Sequence, residues 1–530
     1  MHVISRRNLV TTFAGFAAAA AVNPFPNIVS VVAQQASPTA DTREPAESQV
    51  LRWMDAPPPG LSVSAYSAAF WNAFLQNVYM TPFVQLSSGE IAEGICSSYT
   101  VSDDLLTYTF TINPKAIWSD GTKVTANDIK ASWEWMANTA VSNNVFNYYQ
   151  TQVVVGNEDV VSGKTTDMSG LKVVDDDTLE ITLKQPYTPF IYYCTDCLLL
   201  AHQKANIESG ADWDQRPTVA SGPMMVESFD ANAGTVTLIK NPNWWGQKTT
   251  IERVELVPIT DASTQLLTWQ SDQVDVWGEW GIGTDQARSI DRAELKNAYP
   301  GNGFLLLNTQ QPPFDDVHMR RAVQRATDVA TIVPVVYGDW QLPATGITHP
   351  TDPAYLERAP LLDIEAAKAE LAQSKYASGA IPAPVAVLAA GDWVKVGAMM
   401  QQMLKDALDI DLQVVAADQA SLEQTNSAAI GAGGNGVLYW GPGGLLSWGW
   451  HKDNYWFNGP IHAVDQEIED LLNQGDALPD DQLDERIKIY QQAEQLILDR
   501  AYMIPVTWSS VELGKTPPNP GLPTRAGTQT

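Results

Sequence analysis

The chain has 530 residues, which is enough for two or three domains. Its 61 acidic and 32 basic residues give a net charge of −29 at pH 7, which argues against nucleic acid or an anionic membrane surface as a partner. Acidity of this kind keeps an exported protein soluble, and electrostatic attraction of cationic ligands is the alternative explanation.

The N-terminal segment predicts export. Residues 5–10 are SRRNLV, a twin-arginine pattern, and an alanine-rich run follows from Val10 to Val22. That run is shorter than the roughly 20 residues that a membrane-spanning helix needs. We therefore expect residues 1–36 to be a twin-arginine signal peptide, with a signal of the general secretory route as the alternative. The polar residues 37–48 are predicted to be a disordered leader. No cysteine lies near the expected cleavage region, so lipid anchoring there is excluded.

The sequence from Asp103 to Asn138 predicts a strand, a turn and a capped helix. Apolar residues alternate with threonines from Leu106 to Ile112, which indicates a strand with one buried face. Residues 119–121 are SDG, a turn signal. Thr125 with Asp128 three residues later is close to a capping box, and apolar residues at helical spacing follow.

Other elements are predicted along the rest of the chain. The apolar pattern of residues 171–183, interrupted by three aspartates at 175–177, predicts a hairpin. Asp363 is expected to cap a helix that runs through Leu371. The remaining predicted elements include a first strand at Val50–Trp53, a helix at Phe70–Val78, a strand at Phe304–Asn308, and helices at Val394–Leu408, Asp465–Leu472 and Leu483–Leu498.

The order and spelling of these segments resemble the large solute-binding proteins of ABC importers, the family 5 extracellular solute-binding proteins that include peptide-, dipeptide- and nickel-binding receptors. The strand Tyr108–Ile112, the turn Trp118–Thr122 and the helix start Thr125–Asp128 match the family's pattern almost letter for letter. Further motifs match in the right order from about residue 50 to the end.

The resemblance implies an α/β fold of the two-lobed periplasmic binding protein type, with a ligand cleft between the lobes and an extra subdomain inserted in lobe I. The expected division is lobe I at 49–90, 195–301 and 503–530, the inserted subdomain at 91–194, and lobe II at 302–502. Crossings between the lobes are expected near Asn302–Thr309 and Tyr502–Trp508, and these would form the hinge.

The function that the resemblance implies is that of a periplasmic substrate-binding protein. Such a receptor would act as a monomer, close its lobes around a small solute, and deliver it to an ABC permease and ATPase in the membrane, without a cofactor. The sequence contains no Gly-x-Ser-x-Gly elbow, His-Glu-x-x-His motif or phosphate loop, so we predict no enzymatic activity. A sensory or chaperone-like receptor and a secreted hydrolase are the alternatives.

Aromatic residues among glycines predict the ligand-binding wall. Residues 439–457 are YWGPGGLLSWGWHKDNYWF, and glycine-rich frames make poor cores, whereas exposed rings suit stacking against a ligand. The alternative is that single rings only anchor the loop. The predicted ligand-binding residues are Phe70, Trp71, Trp277, Trp280, Tyr439, Trp440, Trp448 and Trp450.

The ligand class depends on a departure from the family. Peptide-binding relatives carry an aspartate in the loop corresponding to 439–450, where it pairs with the ligand's amino group. This segment has no acidic residue here, and Asp453 comes several residues late. An unpaired ammonium in a closed cleft is costly, and tryptophan-rich clefts suit sugar rings. We therefore predict a peptide or peptide-like ligand, with an oligosaccharide or glycoside as the alternative.

Cysteines and histidines indicate no metal site by their spacing. Cys194 and Cys197, in CTDC, are interpreted as structural, either a tight disulfide or two buried thiols, with a redox or metal site as the alternative. His451 and His462 are the only close histidine pair, and their spacing fits no common zinc pattern. The six histidines are expected to be surface or loop residues.

Overall fold

A computed structural model gives the fold of most of the chain. The residues it describes are 49–58, 60–61, 72–86, 90–140, 151–210, 212–277, 301–338, 340–389, 391–417, 428–436, 441–452, 454 and 457–509. The predicted signal peptide (1–36) and leader (37–48) lie outside these ranges. Within them, no helix combines the length and the apolar character that crossing a bilayer requires.

Strands and helices are mixed along the chain, as expected for an α/β protein. The strands are β1 (Val50–Asp55), β2 (Phe83–Gln85), β3 (Ile91–Glu93), β4 (Cys96–Val101), β5 (Thr107–Ile112), β6 (Leu171–Asp175), β7 (Thr178–Thr182), β8 (Met224–Asp230), β9 (Thr235–Lys240), β10 (Arg253–Pro258), β11 (Val276–Trp277), β12 (Gly301–Leu307), β13 (Gln341–Pro343), β14 (Val385–Ala389), β15 (Gln413–Ala417), β16 (Ile430–Gly436) and β17 (Met503–Ser509). The helices are α1 (Asn72–Val78), α2 (Ala126–Ala137), α3 (Asn157–Val161), α4 (Phe190–Tyr193), α5 (Lys204–Ile207), α6 (Ala262–Gln270), α7 (Val317–Ala326), α8 (Val329–Tyr337), α9 (Ile364–Gln373), α10 (Asp392–Leu408), α11 (Gly444–Gly449), α12 (Gln466–Asp476) and α13 (Leu483–Asp499).

The first lobe is built on a five-stranded mixed sheet with the order β11-β1-β10-β9-β8. Strand β1 runs parallel to both β10 and β11, whereas β9 is antiparallel to β10 and β8. Parallel neighbours place their carboxyl ends at one edge of the sheet, so Asp55, Pro258 and Trp277 end at the same edge.

The inserted subdomain lies in the chain between β1 and β8. It consists of the antiparallel sheet β4-β5-β7-β6 and helices α2 to α4. Phe110, Leu179 and Ile181 are fully or nearly fully buried in this sheet, and they belong to the same hydrophobic cluster as Leu51 and Val254 of the first-lobe sheet. A continuous apolar core therefore joins the inserted subdomain to the first lobe.

The predicted strand, turn and capped helix of residues 103–138 are confirmed. Trp118 is fully buried, and its indole Nε1 donates to Asp128 Oδ2 at 3.4 Å. Asp128 Oδ2 also accepts from the Thr125 backbone N–H at 2.8 Å, and its Oδ1 accepts from the Lys204 N–H at 2.8 Å. The aspartate thus caps α2 and fixes the tryptophan, which makes this motif a structural one.

The second lobe has a six-stranded sheet covered on both faces, with the order β13-β17-β12-β16-β14-β15. Phe304 and Leu306 of β12 point into a core formed with α11, α12 and α13. Leu305 and Leu307 point to the opposite face, into a core formed with α7 to α10. Alternation with a period of two, apolar on both sides, is typical of a strand buried within a sheet.

Strand β17 corrects one predicted boundary. Residues 503–530 were expected in lobe I, but Met503–Ser509 pairs antiparallel with both β12 and β13 in the second-lobe sheet. Its side chains are buried in both cores of that lobe, Ile504 and Val506 on one face and Met503 on the other. Residues 510–530 lie outside the described part of the chain.

The hairpin and the helix caps agree with prediction. Strands β6 and β7 pair antiparallel around the aspartates at 175–177. The Asp363 side chain accepts from the Ala366 N–H at 2.9 Å and begins α9. Short polar side chains at helix starts satisfy backbone N–H groups that the helix leaves unpaired, which is why these local signals are reliable.

The histidine expectation was incomplete. His202 and His349 lie outside helices and strands, yet only 1% and 2% of their surface is exposed. Cys194 is a buried free thiol, so the tight-disulfide alternative does not hold. The side chain of Cys197 lies outside the described part of the chain.

Candidate functional site

The candidate site lies at the carboxyl edges of the two large sheets. In the first lobe this edge carries Asp55, Pro258 and Trp277. In the second lobe the parallel strands β14, β15 and β16 end at one edge, where β12 begins and β17 ends. Ligands of open α/β sheets bind outside the carboxyl ends of the strands.

The chain itself links the two edges. It leaves the first sheet at Trp277 and enters the second at Gly301, which is paired with Gly436 at the carboxyl end of β16. Residues 278–300, between these points, lie outside the described ranges. A ligand held between the two edges would therefore lie next to the passage from one lobe to the other.

Five of the eight predicted ligand-binding residues belong to segments outside the described part of the chain. Phe70, Trp71, Trp280, Tyr439 and Trp440 lie outside the residues that the structure describes. They follow β1, β11 and β16 in the chain, which are strands that end at the two carboxyl edges. Their role in ligand binding stays a prediction.

Trp277 lies at the carboxyl edge of the first sheet. It is half-buried, pairs with Met54 of β1, and its ring centre is 5.9 Å from that of Trp269. Its indole Nε1 is buried and has no hydrogen-bond partner in the described part of the chain. A half-buried ring at this edge is suited to contact a ligand.

Trp450 lies in the core of the second lobe. It is fully buried, with ring centres 5.7 Å from Phe304 and 5.7 Å from Phe457. The loop was expected to be too glycine-rich for core packing, but residues 444–449 form the short helix α11, which buries Leu445 and Leu446 in the same cluster. The ring of Trp450 therefore presents no surface to a ligand in this conformation. The side chain of Trp448 is outside the described part of the structure.

Trp393 is a candidate that the sequence interpretation missed. It is half-buried near the start of α10 and lies over Gly303 of β12. A Cβ at Gly303 would come within 2.6 Å of Thr507 Oγ1 and 3.0 Å of the Trp393 ring, so only glycine allows this close packing. A glycine within a strand often marks a close approach of other atoms, and Gly303 was the available signal.

Asp352 places a carboxylate beside the predicted ligand loop. Its Oδ1 accepts from the backbone N–H of Gly443 at 3.2 Å and of Ala354 at 2.7 Å. Nearby, His349 Nε2 lies 3.0 Å from the carbonyl oxygen of Ser509, at the edge where β17 ends. Burial raises the pKa of Asp352 to about 7, and the charge of Glu494 adds to this effect.

The charged groups at this edge form no cluster suited to a metal. Across the ranges described here, no three histidine, cysteine or acidic side chains are arranged to hold an ion. Asp392, at the start of α10, is paired with Lys395 at 3.0 Å. What the edge offers a ligand is rings, backbone groups and a carboxylate.

The sequence of the chain matches the model of one protein family. The sequence model of the bacterial extracellular solute-binding proteins, family 5 Middle, matches residues 90–457. The periplasmic oligopeptide-binding protein OppA of Escherichia coli (strain K12) is 31% identical over 290 residues, covering 51% of this chain and 50% of that protein. OppA of Bacillus subtilis (strain 168) is 29% identical over 282 residues, covering 50% of each. The chain thus spans about half the length of these curated relatives.

A solved structure matches over more of the chain. The murein tripeptide binding protein MppA of Escherichia coli superposes with a TM-score of 0.74 over 88% of this chain and 94% of that one, at 20% sequence identity. At this identity the likeness establishes the fold, which is the two-lobed fold of periplasmic binding proteins.

Proposed function

Since the chain belongs to the bacterial extracellular solute-binding proteins, family 5, we propose that it is the substrate-binding component of an ABC importer and that its ligand is a peptide or peptide-like compound. The lobes close around this ligand, and the closed form is delivered to a membrane permease. Because a ligand shifts the balance of forms only by its differential affinity, capture requires contacts with both lobes.

The observation that carries the proposal is the arrangement of the two carboxyl edges. Trp277 ends β11 at one edge, and the chain re-enters at Gly301 beside the ends of β14, β15 and β16. Two sheets whose carboxyl edges are linked by the passage of the chain from one lobe to the other suit a receptor that encloses its ligand. The names of the oligopeptide-binding relatives support a peptide over an oligosaccharide.

Asp352 could supply the carboxylate that the segment 439–450 lacks. We assign to its carboxylate the role of partner for the ligand's ammonium group, since it is bonded to Gly443 within that segment. A carboxylate whose pKa is near 7 when no cation is present becomes more acidic when an ammonium binds beside it. This pairing would offset the cost of burying the ligand's charge.

Export and partners follow from the same proposal. The SRRNLV sequence at residues 5–10 supports twin-arginine export to the periplasm. The acidic surface suits a monomer that diffuses freely between ligand and permease. Deletion of the gene should abolish uptake of a labelled tripeptide, and the full-length gene should restore it.

Thermal-shift screening of the mature protein tests the proposal directly. The probes are alanine and lysine tripeptides and tetrapeptides, with matched oligosaccharides of similar size. A ligand held at a hundred times its dissociation constant should add about 2.7 kcal/mol to the free energy of unfolding. Shifts with the peptides and none with the sugars support the proposal, whereas shifts with sugars alone would replace the peptide by a glycan.

A further inference from the structure

The inserted subdomain contacts the second lobe along a line of hydrogen bonds, which we call the seam. The backbone N–H of Thr188 donates to the carbonyl oxygen of Asp476 at 2.7 Å, and Thr188 Oγ1 donates to the carbonyl oxygen of Leu478 at 2.8 Å. The hydroxyl groups of Tyr187 and Ser447 lie 2.8 Å apart. The seam therefore joins the segment before α4 to α11 and to the end of α12.

Two amide pairs extend the seam on either side. Gln185 Nε2 donates to Asn473 Oδ1 at 2.7 Å, and Gln152 Nε2 donates to Asn454 Oδ1 at 2.8 Å. Each pair takes one member from the inserted subdomain and one from the second lobe. The contact is thus repeated along the boundary and does not depend on one residue.

The second-lobe side of the seam is held in place from within. Asp476 is fully buried, and its carboxylate accepts from His451 Nε2 at 2.7 Å and from the Tyr490 hydroxyl. These bonds fix the end of α12, so the carbonyl groups of Asp476 and Leu478 are presented to Thr188 without reorganisation.

The two boundaries of the inserted subdomain differ in chemistry. Its boundary with the first lobe is apolar, because a single hydrophobic cluster runs through both. The hydrophobic clusters of the second lobe are separate from that cluster, and the seam consists of polar groups. Parting an apolar core exposes its area to water, whereas a polar contact exchanges its hydrogen bonds for bonds to water at a small net cost. The seam is therefore the boundary that opens when the lobes part.

We propose that the seam is a latch by which the inserted subdomain, moving with the first lobe, holds the second lobe in the closed arrangement. The latch rests on the proposed function in one respect only, namely that the lobes part. It raises the closed fraction of the empty protein, and the apparent affinity for ligand rises in proportion to that fraction. Residues remote from the ligand thereby set how tightly it is held.

Distance measurements on ligand-free protein test the latch. Lys164 of the inserted subdomain and Lys488 of the second lobe have side chains that are 72% and 64% exposed. Each is replaced by a ketone-bearing residue that carries the spin label, so that the native cysteines are not labelled. The protein is unfolded and refolded to remove any bound molecule, and the distance distribution is recorded by electron–electron double resonance.

The test variant is Tyr187→Phe combined with Thr188→Val, which keeps the shapes and removes the two side-chain bonds across the seam, together with the bond between the Tyr187 and Tyr193 hydroxyl groups within the inserted subdomain. Losing two neutral hydrogen bonds should raise the ratio of long to short distances roughly ten-fold. Gln185→Ala, at an exposed position, should give a smaller increase in the ratio of long to short distances. This single variant tests the latch if the double variant does not fold. Gln466→Ala is the matched control, because its amide bonds to Asp470 within α12 at 2.7 Å.

An unchanged distribution in both seam variants would overturn the latch, and so would a wild-type protein found only at the long distance. Because no ligand is present, this failure would leave peptide capture standing. Failure of peptide capture would show in the thermal-shift screen and would leave these distances unaffected.

Discussion

The Nε2 atom of His451 lies 2.7 Å from Asp476 Oδ2, and Nδ1 of the same ring lies 3.1 Å from Glu469 Oε2. Burial acts to lower the pKa of His451, but the two carboxylates outweigh it and raise the pKa to about 10. Burial likewise acts to raise the pKa of Glu469, yet the cationic ring lowers it to about 2. The second-lobe side of the seam thus contains a charged histidine at neutral pH.

Replacing His451 should weaken the fold most at and just below pH 6.5, and progressively less as the pH rises toward 10. The unfolded histidine has a pKa near 6.5, so the folded protein binds the extra proton between pH 6.5 and about 10, and stability falls as the pH rises through this window. His451→Gln should cost about 3 kcal/mol at pH 7, because it leaves buried carboxylates unpaired. The difference in unfolding free energy between this variant and wild type, measured by urea unfolding, should shrink toward pH 10.

His318→Gln, at a half-exposed pair with Glu370, is the control. An equal pH dependence in both variants would contradict the assignment of the proton to His451.

Replacing His202 should have the opposite pH dependence. Burial lowers the pKa of His202 to about 3, and neither ring nitrogen has a hydrogen-bond partner among the described residues. The unfolded chain then binds the extra proton below pH 6.5, so stability falls as the pH drops from 6.5 toward 3. His202→Phe keeps the edge contacts with Tyr79 and Trp213. The free energy of unfolding of His202→Phe should rise relative to that of wild type by about 1.4 kcal/mol for each pH unit below 6.5. If the two proteins lose stability in parallel as the pH falls, this prediction is wrong.

Replacing Trp118, the tryptophan of the family motif, should lower stability without changing the affinity for ligand. Trp118→Phe removes the indole bond to Asp128 and leaves a small cavity, at a cost of about 2 kcal/mol in urea unfolding. Trp244→Phe is the matched control, because its indole bonds the Gln247 carbonyl at an exposed site. A change in peptide affinity at constant stability would show that Trp118 belongs to the ligand site.

Loss of Trp450 should mainly lower stability, whereas loss of Trp277 should mainly weaken peptide binding. Trp450→Ala empties a core position and should cost about 3–5 kcal/mol of unfolding free energy. Trp277→Ala should weaken peptide binding by about 1–3 kcal/mol, scaled from the burial of a large side chain, with a smaller effect on unfolding. Calorimetric titration with the best peptide of the screen checks both. The reverse pattern would place the ligand against Trp450.

Asp352 should make peptide binding depend on pH. With a pKa of about 7 in the empty protein, the carboxylate is mostly protonated at pH 5.5 and half ionised at pH 7. A peptide with a free amino group should bind roughly ten-fold more tightly at pH 7 than at pH 5.5. Asp352→Asn, or N-acetylation of the peptide, should remove this dependence. Equal pH dependence for the acetylated peptide would exclude an ammonium–carboxylate pair.

Local signals in the sequence predicted much of the fold because their partners are close in the chain. The aspartates at 175–177 and the caps at Asp128 and Asp363 act within a few residues, and each forms the predicted structure. The assignment of β17 to lobe I failed because an apolar strand carries no mark of which sheet it joins. Its pairing with β12 is set by packing between residues some 200 positions apart.

The candidate site was less predictable for the same reason. Glycines around Trp450 indicated an open loop, yet contacts with Phe304 and Phe457 place its ring in a core. Asp352 and Trp393 come from segments distant in sequence, and the structure connects them by a hydrogen bond to Gly443 and by a close approach to Gly303. Each of these contacts joins residues about 90 positions apart, so local sequence patterns do not reveal it.

Native mass spectrometry of the protein purified from the periplasm tests capture most directly, since the ligand is observed without being chosen. The account predicts that the protein carries a bound mass that is released on unfolding and whose fragmentation gives a series of amino acid residues. A released hexose series, or a mass unrelated to peptides at stoichiometric occupancy, would contradict it.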